Sequence, residues 1–340
     1  MIGNERGQPQ TASFRSLGCF MHTEAALEKS GYARSTGRYR IDTCSCFLFY
    51  SPLRAIMITC MKNETLFGEL DGFDMPELGS YTEDKYALIR LYCDLFSAGM
   101  RHKWKGKRVY VDLYSGSGKS RIKGSNKILL GSPLIALSVG SPFDRYVFCE
   151  NDSFRLAALQ ERVRRMFPEK DVRWVEGDCN DKIADISAMV PKDNLVLCFV
   201  DPYDCDIRHE TLKVLSAAAY GVDFLCLLAF QMDAKRNTAH YLQQENRKID
   251  QMLGNADWRN RWTEEQKKSG DFARFLALEF ARSMESLGYK RTELADMKVI
   301  KTLDKHVPLY YLALFAKHPT AFKYWREVNK YYHPQRSLFD

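Results

Sequence analysis

The chain has 340 residues, 45% of them hydrophobic and 27% charged, and its formal net charge is +7. This composition predicts a folded globular protein with a core of ordinary size. The basic balance permits an acidic partner such as RNA or DNA, but it is also typical of a solvated surface that binds no polyanion. No apolar run approaches the roughly 20 residues that cross a bilayer, and no secretory signal is recognisable, so we expect a cytoplasmic protein with reduced cysteines.

Residues 1–60 differ from the rest of the chain. Gly, Ser, Thr, Arg and Gln alternate there without a helical or strand period, and we expect a poorly ordered extension. Met57 and Met61 stand just before the sequence becomes regular, so we hypothesise that the biological chain starts at one of them. The cysteine and histidine spacings of this extension match no zinc site, and no metal is expected.

From Ser80 onward the sequence predicts helices alternating with strands. A capping sequence at Ser80 begins a helix of about twenty residues with apolar positions at helical intervals. Four short apolar strands follow, each ending at an acid: "RVYVDLY", "RYVFCEND", "VRWVEGDCND" and "NLVLCFVDPY". Ser132 is the predicted cap of a helix in "GSPLIAL", and Ser153 that of a helix with its arginines on the solvated face. A further helix in "RHETLKVLSAAA" precedes a fifth strand, "VDFLCLLAF".

Strands that alternate with helices predict a parallel sheet, because parallel strands need a crossover connection. The predicted fold class is therefore α/β, with a doubly wound, mostly parallel sheet. Two hydrophobic runs near the end of the chain, "ADMKVIKTL" and "PLYYLALFAKH", predict a C-terminal antiparallel hairpin that closes one edge of this sheet. We expect one domain over residues 61–335, with a helical insertion at about 235–290.

The stretch "VYVDLYSGSGKSRI" allows two interpretations of the loop after the first strand. A triphosphate-binding loop has a glycine, four residues and then Gly-Lys-Ser/Thr, and its backbone wraps the phosphates. Gly118, Lys119 and Ser120 supply the second half of that pattern, and Asp201 could serve as its metal-holding acid. The first half fails, because Leu113 stands where the first glycine must be.

A site for S-adenosylmethionine (SAM) accounts for more of these residues. A turn at Gly116 and Gly118 would let the ligand approach the backbone. Glu150, at the end of the second strand, would accept from two ribose hydroxyls, and Asp178, after the third, from the adenine amino group. Arg121 replaces the third glycine of the dinucleotide pattern, which argues against a nicotinamide or flavin cofactor. Each acid alone is a common strand terminator, and their succession is what favours SAM.

The predicted place of reaction is "FVDPYD", since ligands of open α/β sheets bind beyond the carboxyl ends of the strands. Asp201 and the carbonyl of Pro202 would orient an amino group, and Tyr203 would offer a stacking surface. The alternative is a structural Asp-Pro turn with Tyr203 packed beneath it. Residues 119–130 predict either a basic flap that meets a phosphate backbone or a solvated loop.

The order of these segments resembles the three-Cys-motif partner (TcmP) family. "YVDLYSGSGKSRI", "GSPLIAL", "FDRYVFCEND", "EGDCND" and "CFVDPYD" carry the resemblance, which extends over about Ser80 to Val328. It implies a Rossmann-like SAM methyltransferase fold, encoded in bacteria near a protein with a three-cysteine motif. The fourth-strand segment is also similar to the Asp-Pro-Pro-Tyr of adenine-N6 methyltransferases, but here a single proline precedes Tyr203, which puts adenine as the acceptor in doubt.

The resemblance also implies roles for single residues. Asp112, Gly116 and Gly118 would lie against the methionine part of SAM, Glu150 against the ribose, and Asp178 and Cys179 against the adenine edge. Lys85 would reach the cofactor carboxylate, or be a plain surface lysine. Arg236 and Asn237, after the fifth strand, would line the acceptor pocket.

Three hypotheses of function follow. The first is a SAM-dependent methyltransferase whose acceptor is a nucleobase amino group, a modified peptide or a small molecule. The second is a non-catalytic partner that keeps the SAM-type fold in order to bind a neighbouring three-Cys-motif protein. The third is an NTPase with a phosphate-binding loop.

Overall fold

The computed structural model describes residues 66–302 and 304–331. The expectations for residues 1–60, including the start at Met57 or Met61, lie outside these residues. The strands are β1 (Phe67–Gly68), β2 (Glu77–Leu78), β3 (Arg108–Asp112), β4 (Lys119–Ile122), β5 (Ile128–Leu130), β6 (Arg145–Glu150), β7 (Val172–Glu176), β8 (Leu195–Val200), β9 (Gly221–Leu228), β10 (Lys298–Lys301) and β11 (Pro308–Phe315). The helices are α1 (Thr82–Met100), α2 (Ser132–Leu137), α3 (Ser153–Met166), α4 (Ile183–Ala188), α5 (His209–Ser216), α6 (Thr238–Tyr241), α7 (Lys248–Leu253), α8 (Trp258–Glu265), α9 (Phe272–Ser286) and α10 (Pro319–Tyr331).

Seven strands form the main sheet, in the order β10-β11-β9-β8-β3-β6-β7. β11 runs antiparallel to both of its neighbours, and the other neighbouring strands are parallel. The chain leaves β3 toward β6 and β7 and later returns to β8 on the other side of β3. This reversal is the topological switch point of a doubly wound sheet. The predicted fold class is confirmed, including the antiparallel hairpin of β10 and β11 at one edge.

A second, smaller sheet was not predicted from the sequence. Its order is β1-β5-β4-β2, with β5 antiparallel to β1 and β4, and β2 parallel to β4. Most of residues 119–130 belong to this sheet, and the turn between β4 and β5 is largely exposed. Whether this segment meets a phosphate backbone or is only solvated stays a prediction. The short segments around β1 and β2 carry no period of their own, which is why the sequence pattern did not reveal them.

The main sheet is buried on both faces, as parallel sheets are. Val109 and Val111 of β3 face one core together with α5 and α9, whereas Tyr110 faces the other core. The second core also receives Trp325 of α10 and the apolar side of α1. The positions predicted to form that side are all buried: Tyr86, Leu88, Ile89, Tyr92, Leu95 and Phe96. The cysteines of the central strands are free and buried, as their apolar surroundings predict.

Three predicted helix caps differ in the structure. α1 follows Tyr81 without a side-chain cap, and α2 has Gly131 as its cap, so that Ser132 is already the first helical residue. At α3 the carboxylate of Asp152 accepts from the first turn, and Ser153 follows it. An acid in the cap position accepts from the same backbone N–H groups as a serine, so neighbouring polar residues are hard to rank from sequence. Among the described residues, no helix combines the length and the apolar character needed to span a bilayer.

A buried carboxyl in β9 is expected to make stability depend on pH. Burial raises the pKa of Asp223 to about 7, and the described residues offer it no ion pair. An unfolded Asp releases its proton near pH ~3.9, so the folded state binds more protons between pH ~4 and ~7 and loses stability as the pH rises through that window. Asp223→Asn should therefore raise the free energy of unfolding at pH ~8 by a few kcal/mol, with about 4 kcal/mol as the upper limit, and by less at pH ~5.

Denaturant unfolding at the two pH values measures this gain. Asp193→Asn removes a carboxyl whose side chain is 67% exposed and is the matched control, with a change within about 0.5 kcal/mol. An Asp223→Asn variant that loses stability at high pH as steeply as the wild type would contradict the assignment.

Candidate functional site

The loop after β3 turns through two glycines that serve different purposes. Gly116 and Gly118 have φ angles of 60° and 83°, in the left-handed region where a side chain is disfavoured. A Cβ on Gly118 would lie 2.5 Å from Cδ1 of Leu159 in α3, so this glycine permits close packing. A Cβ on Gly116 would meet nothing within 4 Å. The backbone of Gly116 therefore borders open space, where a ligand can approach it.

Glu150, the last residue of β6, holds this loop. Its Oε2 accepts from the backbone N–H of Gly116 at 2.7 Å, and its Oε1 accepts from that of Asp152 at 3.0 Å. Ser115 strengthens the junction, because its N–H and its hydroxyl both donate to the carbonyl of Cys149. A carboxylate has about four lone-pair positions, so the half-buried Glu150 keeps acceptor capacity beside Gly116.

Asp178 and Cys179 lie next to Glu150 on the other side. The N–H of Gly177 donates to the carbonyl of Glu150 at 3.0 Å, which places the residues that follow β7 beside the end of β6. Asp178 is half-buried and accepts from the N–H of Asn180 at 2.8 Å. Burial raises the pKa of the Cys179 thiol to about 12, so this cysteine is an uncharged, packed group. The predicted row of acids along adjacent strand ends is present in the structure.

Asp112 differs from the other acids because it is fully buried. Its oxygens accept from the Tyr110 hydroxyl and the Tyr114 N–H, each at 3.3 Å. Burial raises its pKa to about 7, against the hydrogen bonds from Ser132 and Tyr114, which lower it. Asp112 thus holds Tyr114, at the start of the loop that leads to Gly116, and a contact with a cofactor would require the groups that bury it to move. Its predicted cofactor contact stays a prediction.

Lys85 and Asp201 form a mostly buried ion pair at the end of β8. The Nζ of Lys85 donates to Oδ2 of Asp201 at 2.8 Å, and the two side chains are 9% and 18% exposed. Burial lowers the pKa of Lys85, but Asp201, Tyr86 and Tyr310 together outweigh burial and raise the pKa above its ordinary value. The interpretation of Lys85 as a surface lysine is therefore wrong. Its predicted contact with a cofactor carboxylate stays a prediction.

The residues after Asp201 form the outer wall of the site. Pro202 is buried, whereas Tyr203 is 98% exposed, so the alternative in which Tyr203 packs beneath the turn is wrong. Among the described residues only Lys85 donates to the Asp201 side chain, and it uses Oδ2, which leaves Oδ1 as an acceptor. Tyr310 of β11 lies close enough for its pKa to respond to Lys85 and Asp201, and its buried hydroxyl has no hydrogen-bond partner in the described part of the chain.

The segment after β9 is held by an acid that the sequence analysis missed. Asp233 accepts from the side-chain amide of Asn237 at 2.8 Å and from the hydroxyl of Tyr241. Arg236 is exposed, and in the described part of the chain no hydrogen bond or ion pair joins it to Asp201. Lys248 of α7 pairs with Asp204 at 2.8 Å and so fastens the loop after β8 to the helical segment. The predicted roles of Arg236 and Asn237 in an acceptor pocket stay predictions.

Arg162 is the second residue that the sequence analysis misjudged. The periodicity of α3 placed its arginines on the solvated face, but Arg162 is 2% exposed. Its guanidinium binds both oxygens of Asp71 at 2.8 Å, and it also donates to the carbonyls of Phe73, Asp74 and Ser117. Residues 66–78, called the strap below, are thereby fixed against the glycine loop.

The strap also binds Lys119, the lysine that the triphosphate interpretation assigns to phosphate binding. Lys119 lies in β4 and is buried, and its Nζ contacts the carbonyl of Glu69 at 2.8 Å and Oδ2 of Asp71 at 2.9 Å. The bond from Arg162, opposed by burial and aided by Lys119, lowers the pKa of Asp71 far below its ordinary value. Asp71 therefore stays charged at neutral pH and holds Lys119, which counts against phosphate binding by this lysine.

The two glycines of the loop give a matched pair of variants. Gly118→Ala places a methyl group against Leu159 and should lower the free energy of unfolding by about 2 kcal/mol or more. Gly116→Ala has space for its methyl group, so it should lose only about 1 kcal/mol from its φ angle. If the loop binds SAM as the sequence predicts, the same methyl group would stand where the ligand meets the backbone, and Gly116→Ala should weaken binding of S-adenosylhomocysteine (SAH) at least about tenfold. Chemical unfolding and calorimetric titration measure both effects, and the reverse ranking would contradict this division of roles.

Comparison with known proteins finds similarity only among solved structures. No protein-family model matches, and no curated protein matches. Among solved structures, Trm1 from Pyrococcus horikoshii in complex with SAM is similar with a TM-score of 0.39 and 11% identity, over 70% of this chain and 56% of that one. Magnesium protoporphyrin IX methyltransferase from Synechocystis PCC 6803 with bound SAH is similar with a TM-score of 0.37 and 8% identity, over 77% of this chain and 94% of that one. Protein LPL1258 from Legionella pneumophila has a TM-score of 0.40 and 14% identity, over 73% of this chain and 92% of that one. This chain thus spans just over half the length of the Trm1 chain, and the likeness is one of fold.

Proposed function

We propose that this protein is a SAM-dependent methyltransferase. One observation carries the proposal: at the switch point of the sheet, the N–H of Gly116 binds the carboxylate of Glu150 while the other side of the glycine borders open space. An adenosine fits this arrangement, because its ribose hydroxyls are donors for the remaining lone pairs of Glu150. Asp178, on the neighbouring strand end, supports the same assignment as an acceptor for the adenine amino group.

The reaction proposed is the transfer of a methyl group to an acceptor held at Asp201. Bound SAM would supply a methyl group activated by its sulfonium. Oδ1 of Asp201 would accept a hydrogen bond from the acceptor's amino or hydroxyl group and turn its lone pair toward the methyl carbon. As the new bond forms, the bond between sulfur and that carbon would break with release of SAH, and the acceptor's proton would pass to Oδ1 or to solvent. Lys85 would fix the carboxylate through Oδ2, and the exposed ring of Tyr203 would cover a flat acceptor. Close approach in the correct orientation supplies most of the rate enhancement in such a site.

The order of segments from Ser80 to Val328 supports membership in the TcmP family as part of this proposal. The acceptor would then be a nucleobase amino group, a modified peptide or a small molecule, and the partner a three-Cys-motif protein. The exposed Tyr203 favours a planar acceptor among these. Adenine is not singled out among planar acceptors, because only the single proline Pro202 precedes Tyr203, whereas adenine-N6 methyltransferases have two prolines there.

A thermal-shift screen tests the cofactor. SAM, SAH, ATP with magnesium, GTP and NAD are each added to the full chain. SAH at about 100 times its dissociation constant is expected to stabilise the folded state by about 2.7 kcal/mol and to raise the melting temperature accordingly. ATP with magnesium is expected to leave it unchanged, because Lys119 is held by Asp71. A shift with ATP and none with SAM or SAH would overturn the proposal.

A further inference from the structure

We propose that the protein carries a binding surface for single-stranded nucleic acid at the amino-terminal ends of the strands of the main sheet, which we call its amino edge. The surface consists of Arg101, Lys103, Trp104, Lys105, Lys107 and Tyr220, called the amino-edge surface below. It takes no part in the function proposed above, because that function uses the carboxyl ends of the strands.

The position of this surface follows from the sheet. Residues 101–107 connect α1 to β3, and the carbonyl of Lys107 accepts from the N–H of Leu195 at the start of β8. Tyr220 immediately precedes β9. A strand of five or six residues is about 17–20 Å long, which separates this edge from the loops at Gly116 and Asp201. A bound polyanion here would therefore leave the cofactor site accessible.

Charge is the first argument for a polyanion. Arg101, Lys103, Lys105 and Lys107 stand at alternate positions of one short segment, and all four are exposed. Within residues 66–302 and 304–331, only Lys107 of these four forms an ion pair, with Asp193 at 2.7 Å. That pair is solvent-exposed, so it is weak and screened by salt, and Lys107 can exchange Asp193 for a phosphate. Cations of this kind bind a phosphate backbone by releasing its counterions.

Aromatic side chains are the second argument, and they favour an unpaired strand. Trp104 is half-buried, and its ring centroid lies 5.0 Å from that of Tyr220. Tyr220 remains 75% exposed, so its ring contributes little to the core and is accessible for stacking. Unpaired bases stack on such rings, whereas bases inside a duplex are not available for stacking. Cations that flank an aromatic pair are the features that sequence-tolerant single-strand sites combine.

The local structure also distinguishes this surface from a membrane-binding one. A lipid-binding segment needs an apolar face that enters the acyl boundary. The segment "RHKWKGK" contains no aliphatic residue, and Gly106, with a φ of 73°, lies in a turn and not in a helix. Lys119 of β4 is not available to a polyanion in the same way, because it is buried and paired with Asp71.

The test is fluorescence anisotropy of labelled oligo(dT) and oligo(rU) with the full chain, in the absence of SAM. The variant with Lys103→Glu and Lys105→Glu is expected to bind at least about tenfold more weakly. Its slope of log K against log salt should fall by about 1.4, since each phosphate contact on a single strand contributes about 0.7. Lys267→Glu with Lys268→Glu, in the exposed turn just after α8, makes the same change of charge and should bind like the wild type.

A second variant tests stacking independently of charge. Tyr220→Ala should weaken oligonucleotide binding about fivefold or more with the salt slope unchanged. Circular dichroism and a thermal melt show that each variant is folded. The proposal is overturned if the two double variants bind equally, if only duplex binds, or if phosphatidylserine vesicles or an acidic peptide bind while the oligonucleotides do not. These outcomes say nothing about SAM binding, so they are separable from failure of the methyltransferase proposal.

Discussion

Asp201→Ala is expected to lower methyl transfer at least about 100-fold and to destabilise the fold at the same time. The loss of rate follows because the carboxylate oxygen that orients the nucleophile by a hydrogen bond would be missing. The loss of stability follows because Lys85, buried beside Asp201, would keep its charge without a partner. Removing one member of a buried ion pair costs about 3–5 kcal/mol, and the 18% exposure of Asp201 places the expected loss near the lower value.

The double variant with Lys85→Met and Asp201→Ala separates the two effects. Replacing both charges by apolar groups removes the unpaired charge, so most of the lost stability should return. Methyl transfer should not return, because Oδ1 of Asp201, which would accept the hydrogen bond from the nucleophile, is still missing. Turnover measured with radiolabelled SAM against candidate acceptors, and denaturant unfolding, follow the two properties. SAH binding should stay within about threefold of the wild type in the Asp201→Ala variant, because Glu150 and Gly116 are untouched.

Asp171→Ala is the control for ion-pair removal. Asp171 pairs with Arg145 at 2.8 Å, but these side chains are 36% and 29% exposed, so the loss should be no more than about 1 kcal/mol. Full turnover in a folded Asp201→Ala variant would refute the assignment of Asp201. The non-catalytic hypothesis would be favoured instead if the wild type transferred no methyl group to any acceptor tested.

Glu150→Ala is expected to raise the dissociation constant of SAH by about 10–100-fold. Glu150 is proposed to bind the ribose and also holds the N–H groups of Gly116 and Asp152, so its loss removes ligand contacts and loosens the loop. Hydrogen bonds to a charged group contribute about 1.5–3 kcal/mol, which corresponds to this range of affinity. Glu150→Gln keeps one acceptor oxygen and should give an intermediate value in isothermal titration calorimetry.

Glu161→Gln provides the matched control on the adjacent helix. Glu161 pairs with Arg164 and Arg165 on the exposed side of α3 and contacts no residue of the glycine loop. Its substitution should leave the affinity for SAH unchanged. An unaltered dissociation constant in a folded Glu150→Ala variant would exclude Glu150 from the cofactor site.

The carboxyl edge of the sheet could be predicted from the sequence because its pattern is local. Each strand is a short apolar run, and Asp112, Glu150 and Asp201 stand at or just after the end of such a run. Parallel strands bring these ends to one edge, so the acids must be neighbours once the fold class is known. The exposure of each acid is not local information. Asp112 and Asp201 have similar sequence surroundings, yet Asp112 is fully buried and Asp201 is not.

The contacts that hold the site in place could not be predicted in the same way. Arg162 and Asp71 are 91 positions apart, and each alone is typical of a solvated surface. The pairing of Lys85 with Asp201 spans 116 positions and is equally invisible to periodicity. Both pairs involve charges in a low-dielectric environment, where only the tertiary structure decides which partner satisfies them.

The strap sets a limit on how far the protein can be shortened from its N-terminal side. A chain that began at Ser80, where the regular alternation of helix and strand starts, would retain all seven strands of the main sheet. It would also leave the Arg162 guanidinium without Asp71 and without two of its backbone acceptors, and Lys119 without its counter-ion. Arg162 and Lys119 would then be two buried cations without a counter-ion beside the glycine loop. We therefore expect the smallest chain that folds on its own to include residues 66–78, although no hydrophobic periodicity marks them.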